Sequence, residues 1–177
     1  MGLLAILAGA PALPAQRAGV VLALPASARA AGAGDASPLA TGPNALFYGS
    51  SALPAERAVS ASAGTWLGGA QFSTLVIAMP FRGSTFGVGL QSLDYGSADE
   101  IIPDPLTGGA RGIATGDRVG ASEFALTAGM SRRAGVWRAG LAGTLVSQQI
   151  ADASGRAVGI DAGLGMTVRG WDVSAAA

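Results

Sequence analysis

Four charged residues stand where side chains alternate with small ones: Glu123, Arg138, Asp161 and Arg169. Carboxylates and guanidiniums so placed support two readings. They form an internal charge cluster that lines or plugs a lumen, or they pair with one another so that buried charge is tolerated. A second group, Asp99, Glu100, Asp104 and Asp117, gathers carboxylates of the kind that bind Ca²⁺. Its spacing does not match an EF-hand loop, so no metal ligand is assigned. The run Gly83-Ser84-Thr85-Phe86-Gly87-Val88-Gly89 contains G-x-G. It lies in a strand-like pattern with no helix after it, so it is not read as a phosphate loop.

The missing residue types narrow the chemistry further. The sequence has no Cys and no His, and every basic residue is Arg. Thiolate and imidazole metal sites, the Ser-His-Asp triad, the Cys nucleophile and the Ser-Lys pair are therefore excluded. The chain is expected to be non-catalytic and without a cofactor. Its net charge of 0 argues against an electrostatic nucleic-acid partner. Half of the residues are apolar and 12% are charged, against about 25% charged in soluble domains. That is too little charge for an ordinary water-facing surface. The 28 glycines are about twice the usual share, and Gly suits tight turns and crowded inner faces.

The elements that must position these residues show period-two alternation, the signature of a strand. In 158–169, Val158, Ile160, Ala162, Leu164, Met166 and Val168 share one face. Gly159, Asp161, Gly163, Gly165, Thr167 and Arg169 share the other. In 137–147, Trp137, Leu141 and Leu145 oppose Arg138, Gly140, Ala142 and Thr144. In 123–131, Phe124, Leu126, Ala128 and Met130 oppose Glu123, Thr127, Gly129 and Ser131. Segments 85–91, 70–81 and 56–67 repeat the scheme less regularly. The polar face of a soluble sandwich is solvated; here it is largely Gly, as in a packed interior. These lengths match the roughly 9–11 residues of a membrane-spanning strand.

The chain is thus expected to be all-β, an antiparallel meander of about six strands forming part of an outer-membrane barrel. Three parts are expected. Residues 1–31 read as a signal peptide: Arg17, a short apolar core from Ala18 to Leu24, and a small-x-small end at Ala28-Arg29-Ala30. A second apolar stretch, Leu3 to Leu13, lies ahead of Arg17. Residues 32–55 read as an irregular, plug-like segment with a helical turn. Residues 56–177 read as the partial barrel, with no clear final strand at its end. Tight turns are expected at 82–84 and 132–135, with a long loop at 96–117 and another around 152–155. Short periplasmic turns and longer outside loops are the habit of outer-membrane barrels. Trp66, Tyr95, Trp137 and Trp171 fall near strand ends, where an interfacial belt would place them. Glu123, Arg138, Asp161 and Arg169 would then face the lumen, while Leu141 and Leu164 would face lipid.

The run Ala45-Leu46-Phe47-Tyr48-Gly49-Ser50-Ser51-Ala52-Leu53, the pattern Phe86-Gly87-Val88-Gly89-Leu90 followed by Tyr95-Gly96, Thr107-Gly108, and Ile160-Asp161-Ala162-Gly163-Leu164 occur in that order. From Gly32 onward the chain thereby resembles the PorV/PorQ family of outer-membrane proteins, relatives of the FadL-type transporters. Ser50-Ser51 stand where that family carries Asn-Pro. The resemblance implies a barrel of about fourteen strands, within the known range, of which this sequence supplies an N-terminal part. It implies residence in the bacterial outer membrane and a role in protein secretion of the type IX kind or in cell-surface attachment. The partners implied are membrane lipid and secretion-apparatus components or exported proteins. FadL-like passage of hydrophobic small molecules is the alternative.

Overall fold

Alternation along the chain becomes pairing between strands in the computed structural model, which describes residues 19–32, 42–168 and 171–176. Seven strands follow one another: β1 (Ala58–Thr65), β2 (Gln71–Phe81), β3 (Ser84–Pro103), β4 (Gly112–Ala134), β5 (Trp137–Ile150), β6 (Ala153–Val168) and β7 (Trp171–Ala176). They form one antiparallel meander in sequence order. Because each strand pairs with the next, β1 and β7 are the outermost strands, and the sheet is not closed among the described residues.

The register sorts side chains onto two faces. Leu75, Leu90, Leu126, Leu145 and Val158 lie in one row across five strands. Ile77, Val88, Ala128, Gly143 and Ile160 form the next row, and Met79, Phe86, Met130, Leu141 and Ala162 the third. Among the described residues no other element lies on this bare face, and Val158 and Ile160 are 76% and 75% exposed. The opposite rows hold small or hydroxyl residues, such as Ser60, Val76, Gly89, Thr127, Thr144 and Gly159. That face is covered by the N-terminal part of the chain.

Small covered-face residues let the backbone approach closely. The 3-10 turns Gly42–Phe47 and Ser50–Ala52 lie directly on the sheet. A Cβ at Gly89 would stand 2.5 Å from Phe47 Cζ, and one at Gly140 would overlap the Ser51 amide. Leu46 and Leu53 pack with Val76, Ala78 and Ala142. A second cluster joins Val21 and Leu24, from the segment containing the turn Val20–Ala23, to Ala70, Leu93, Ala125 and Val146. Burying each Val or Leu side chain contributes about 1.5–3 kcal/mol. A short helix, α1 (Ala28–Gly32), follows with no buried residue.

The structure corrects four expectations. There is a seventh strand, β7, where the Ala-rich sequence showed no strand pattern. It pairs with Gly163–Val168 through the backbone ladder, which does not depend on side-chain type. The expected loop at 96–117 is mostly strand. β3 and β4 run on as a protruding hairpin through register shifts at Asp94/Ser97 and Asp99/Ile101. Pro103 is tolerated as the last residue of its strand. The expected loop near 152–155 is a tight turn, since Ser154 and Gly155 already pair with Gln149 and Gln148. The expected turn at 132–135 sits later, because Arg132, Arg133 and Ala134 still pair with Ala139, Arg138 and Trp137. The turn at Arg82-Gly83 is where expected. Both residues have positive φ, 49° and 80°, as a two-residue type I′ hairpin requires.

Candidate functional site on the covered face

Glu123 is 2% exposed on the covered face. A buried carboxylate is costly unless hydrogen bonds replace its water. Three donors do so. The Val21 backbone N–H donates to Oε2 at 2.7 Å, and the Tyr95 hydroxyl and Gln148 Nε2 donate to Oε1 at 2.9 and 3.0 Å. The sheet sets two of these partners, since Glu123 and Gln148 are directly opposed on β4 and β5. The N-terminal segment brings the third. A Cβ at Gly19 would stand 2.9 Å from Glu123 Oε2, so the chain enters where only Gly fits.

Further bonds fasten the same cover. Thr74 Oγ1 donates to the Ala26 carbonyl at 2.9 Å, and the Ala26 N–H donates to the Tyr48 hydroxyl at 2.7 Å. Asn44 Nδ2 donates to Ser60 Oγ at 3.1 Å, and Thr85 Oγ1 donates to the Pro54 carbonyl at 2.8 Å. Thr127 and Thr144 pair their hydroxyls at 3.0 Å. Separate polar contacts thus join the cover to the strands beside two apolar clusters. Beside these contacts lies a hollow of about 340 Å³, lined in part by Leu22, Phe47, Tyr48, Thr144, Val146 and Asp161.

The four charged residues do not form one cluster. Glu123, Arg138 and Asp161 share the covered face, and Arg169 lies outside the described residues. Along β5, Glu123 sits at the level of Gln148, Asp161 at Ala142, and Arg138 four residues further. At about 3.4 Å per residue, Glu123 and Asp161 are separated by roughly 20 Å of strand, and Asp161 and Arg138 by roughly 14 Å. The bonds to Glu123 come from neutral groups. Asp161 is exposed at the hollow, and Arg138 is half-buried beside Gly165.

The hairpin carboxylates have local tasks. Asp104 Oδ1 accepts the Leu106 N–H at 2.8 Å and caps the turn Pro105–Thr107. Glu100 accepts from Thr115 at 2.8 Å, and Asp99 lies 3.9 Å from Arg118. Among the described residues, no three His, Cys, Asp or Glu side chains are grouped to hold a metal ion.

Sequence reasoning placed Tyr95 in an interfacial belt; its hydroxyl instead turns inward to Glu123. It also missed Gln148 and Val21. The parity of β5, which puts Gln148 on the face of Arg138 and Thr144, was the available signal for the first. The second contributes a backbone N–H, which no residue type reveals. Searches against models of protein families, curated proteins and solved structures find no match to this chain.

Proposed function

We propose that this protein is a non-catalytic wall element of a bacterial outer-membrane barrel, of PorV/PorQ type, serving protein secretion or cell-surface attachment. The observation that carries the reading is the bare face. Its three in-register rows leave large apolar side chains exposed side by side, and contiguous exposed apolar patches mark membrane or partner contacts. A mixed row of Ser73, Ser92, Phe124, Ser147 and Arg156 borders the rows on one side, and a mixed row of Phe81, Ser84, Arg132, Ala139 and Leu164 borders them on the other. β2 pairs along all 11 of its residues, about 37 Å of strand at ~3.4 Å per residue, or about 26 Å of height at a tilt of ~45°. That is the length of a membrane-crossing strand, about 9–11 residues, with the three apolar rows in its middle. Lipid offers no partner to the edges of β1 and β7 that no described strand pairs, so in this reading further strands complete the wall.

The cover on the inner face supports secretion or attachment over free passage, because it fills the space a solute would cross. The protruding β3–β4 hairpin offers a partner a surface beyond the membrane. The hollow beside Asp161 favours the second reading, FadL-like passage of hydrophobic molecules. Fractionation of Gram-negative cells expressing the chain tests the proposal. Recovery in the outer membrane, resistant to carbonate extraction, is expected; a soluble periplasmic product would overturn it. Uptake of a long-chain fatty acid above that of cells lacking the protein would favour passage.

A further inference from the structure

The segment expected to be cut away with a leader is built into the fold. Val21, Leu24 and Ala26 are 0%, 4% and 1% exposed. Val21 supplies one of the three donors to Glu123, and Ala26 both accepts from Thr74 and donates to Tyr48. Cleavage after Ala30 would remove all of this at once. Glu123 would lose its Oε2 partner, Thr74 its carbonyl acceptor, and Ala70, Leu93, Ala125 and Val146 the side chains packed on them. A small-x-small triplet such as Ala28-Arg29-Ala30 is common in so Ala-rich a chain, whereas a buried amide aimed at a buried carboxylate is specific.

We infer that the mature protein retains the chain from Gly19 onward as a fixed inner strap seated on Glu123, and that leader removal takes place before Gly19. Retention follows from the packing alone; the removal step rests on the outer-membrane reading. That step is hydrolysis of one peptide bond, with water giving its hydroxyl to the new carboxyl end and its hydrogen to the new amine. The apolar stretch Leu3 to Leu13 then serves as the leader's apolar core, within the usual length of about 7–15 residues, although no Arg or Lys side chain precedes it. The strap makes the inner closure two-part, with residues 19–27 over the Glu123 end and residues 42–54 over the opposite end of the sheet.

The test is the N terminus of the full chain recovered from the outer-membrane fraction of Gram-negative cells, read by intact mass and terminal sequencing. An N terminus at or before Gly19 is expected. One at Ala31 or Gly32 would overturn the inference. A chain still beginning at Met1 would keep the strap and overturn the removal step alone. Because the sequence lacks Cys, single-cysteine variants give an independent readout on the folded protein. Val21→Cys should react with a maleimide roughly tenfold or more slowly than Leu22→Cys, which is 44% exposed in the parent residue. Equal rates would overturn retention of the packed strap. Absence from the outer membrane would count against the proposed function, and the cysteine rates would still decide the strap.

Discussion

The Val21 amide and Glu123 Oε2 meet at 2.7 Å across 102 positions of sequence. That contact joins the start of the described chain to the middle of the sheet. It also sets the energetic weight of the site, since a buried donor or acceptor left unpaired costs about 1–3 kcal/mol.

Glu123→Ala should therefore destabilise the folded protein by about 3–5 kcal/mol, because three donors lose their acceptor at once. Glu123→Gln keeps the shape and part of the acceptor capacity and should cost about half as much. Urea titration in detergent micelles reads both. A loss below about 0.5 kcal/mol for the Ala variant would mean that the strap is not seated.

Gly89 is small because Phe47 lies on it. Gly89→Ala should cost about 1–3 kcal/mol through overpacking. Adding Phe47→Ala should give a coupling of at least ~1 kcal/mol in a double-mutant cycle. Gly159 lies in the same row with open space at its Cβ position. Gly159→Ala should stay within about 0.5 kcal/mol, and equal costs at the two glycines would contradict the packing.

On the bare face, depth should govern the cost of charge. Val88 lies in the middle apolar row, whereas Leu164 lies opposite Ala139, at the level of Arg132 near the border. Val88→Arg should cost about 2–4 kcal/mol in bilayers, and Leu164→Arg about 0–1 kcal/mol. Folding yield into lipid vesicles distinguishes them. Similar yields for the two variants would argue against a membrane crossing at this height.

The protruding hairpin should be separable from the wall. Replacing residues 99–118 with a two-residue Asn-Gly turn should leave stability in micelles within about 1 kcal/mol, because the ladder pairs of those residues are only with each other. Asp99→Asn should be nearly neutral, since an exposed pair with Arg118 is worth at most about 1 kcal/mol. A cooperative loss of the whole fold in the shortened chain would show the hairpin to be part of the core.

Strand identity and the two faces were legible in the residues themselves. Period-two alternation with apolar residues on one side is a local property, and burying or exposing a whole face ties each strand to its register. The Gly-rich face likewise announced that backbone would lie close to it. Strand ends were less legible. Pro103, Gly108 and Gly109 read as loop, yet the backbone ladder carried β3 and β4 past the apolar band, and β7 paired without any side-chain pattern. The site was decided by tertiary structure, because its key donor is a main-chain N–H. The sequence of 19–26 describes an apolar run that suits a leader as well as a core. Only its placement against Glu123, Thr74 and Tyr48, where buried polar groups must find partners, makes it part of the fold.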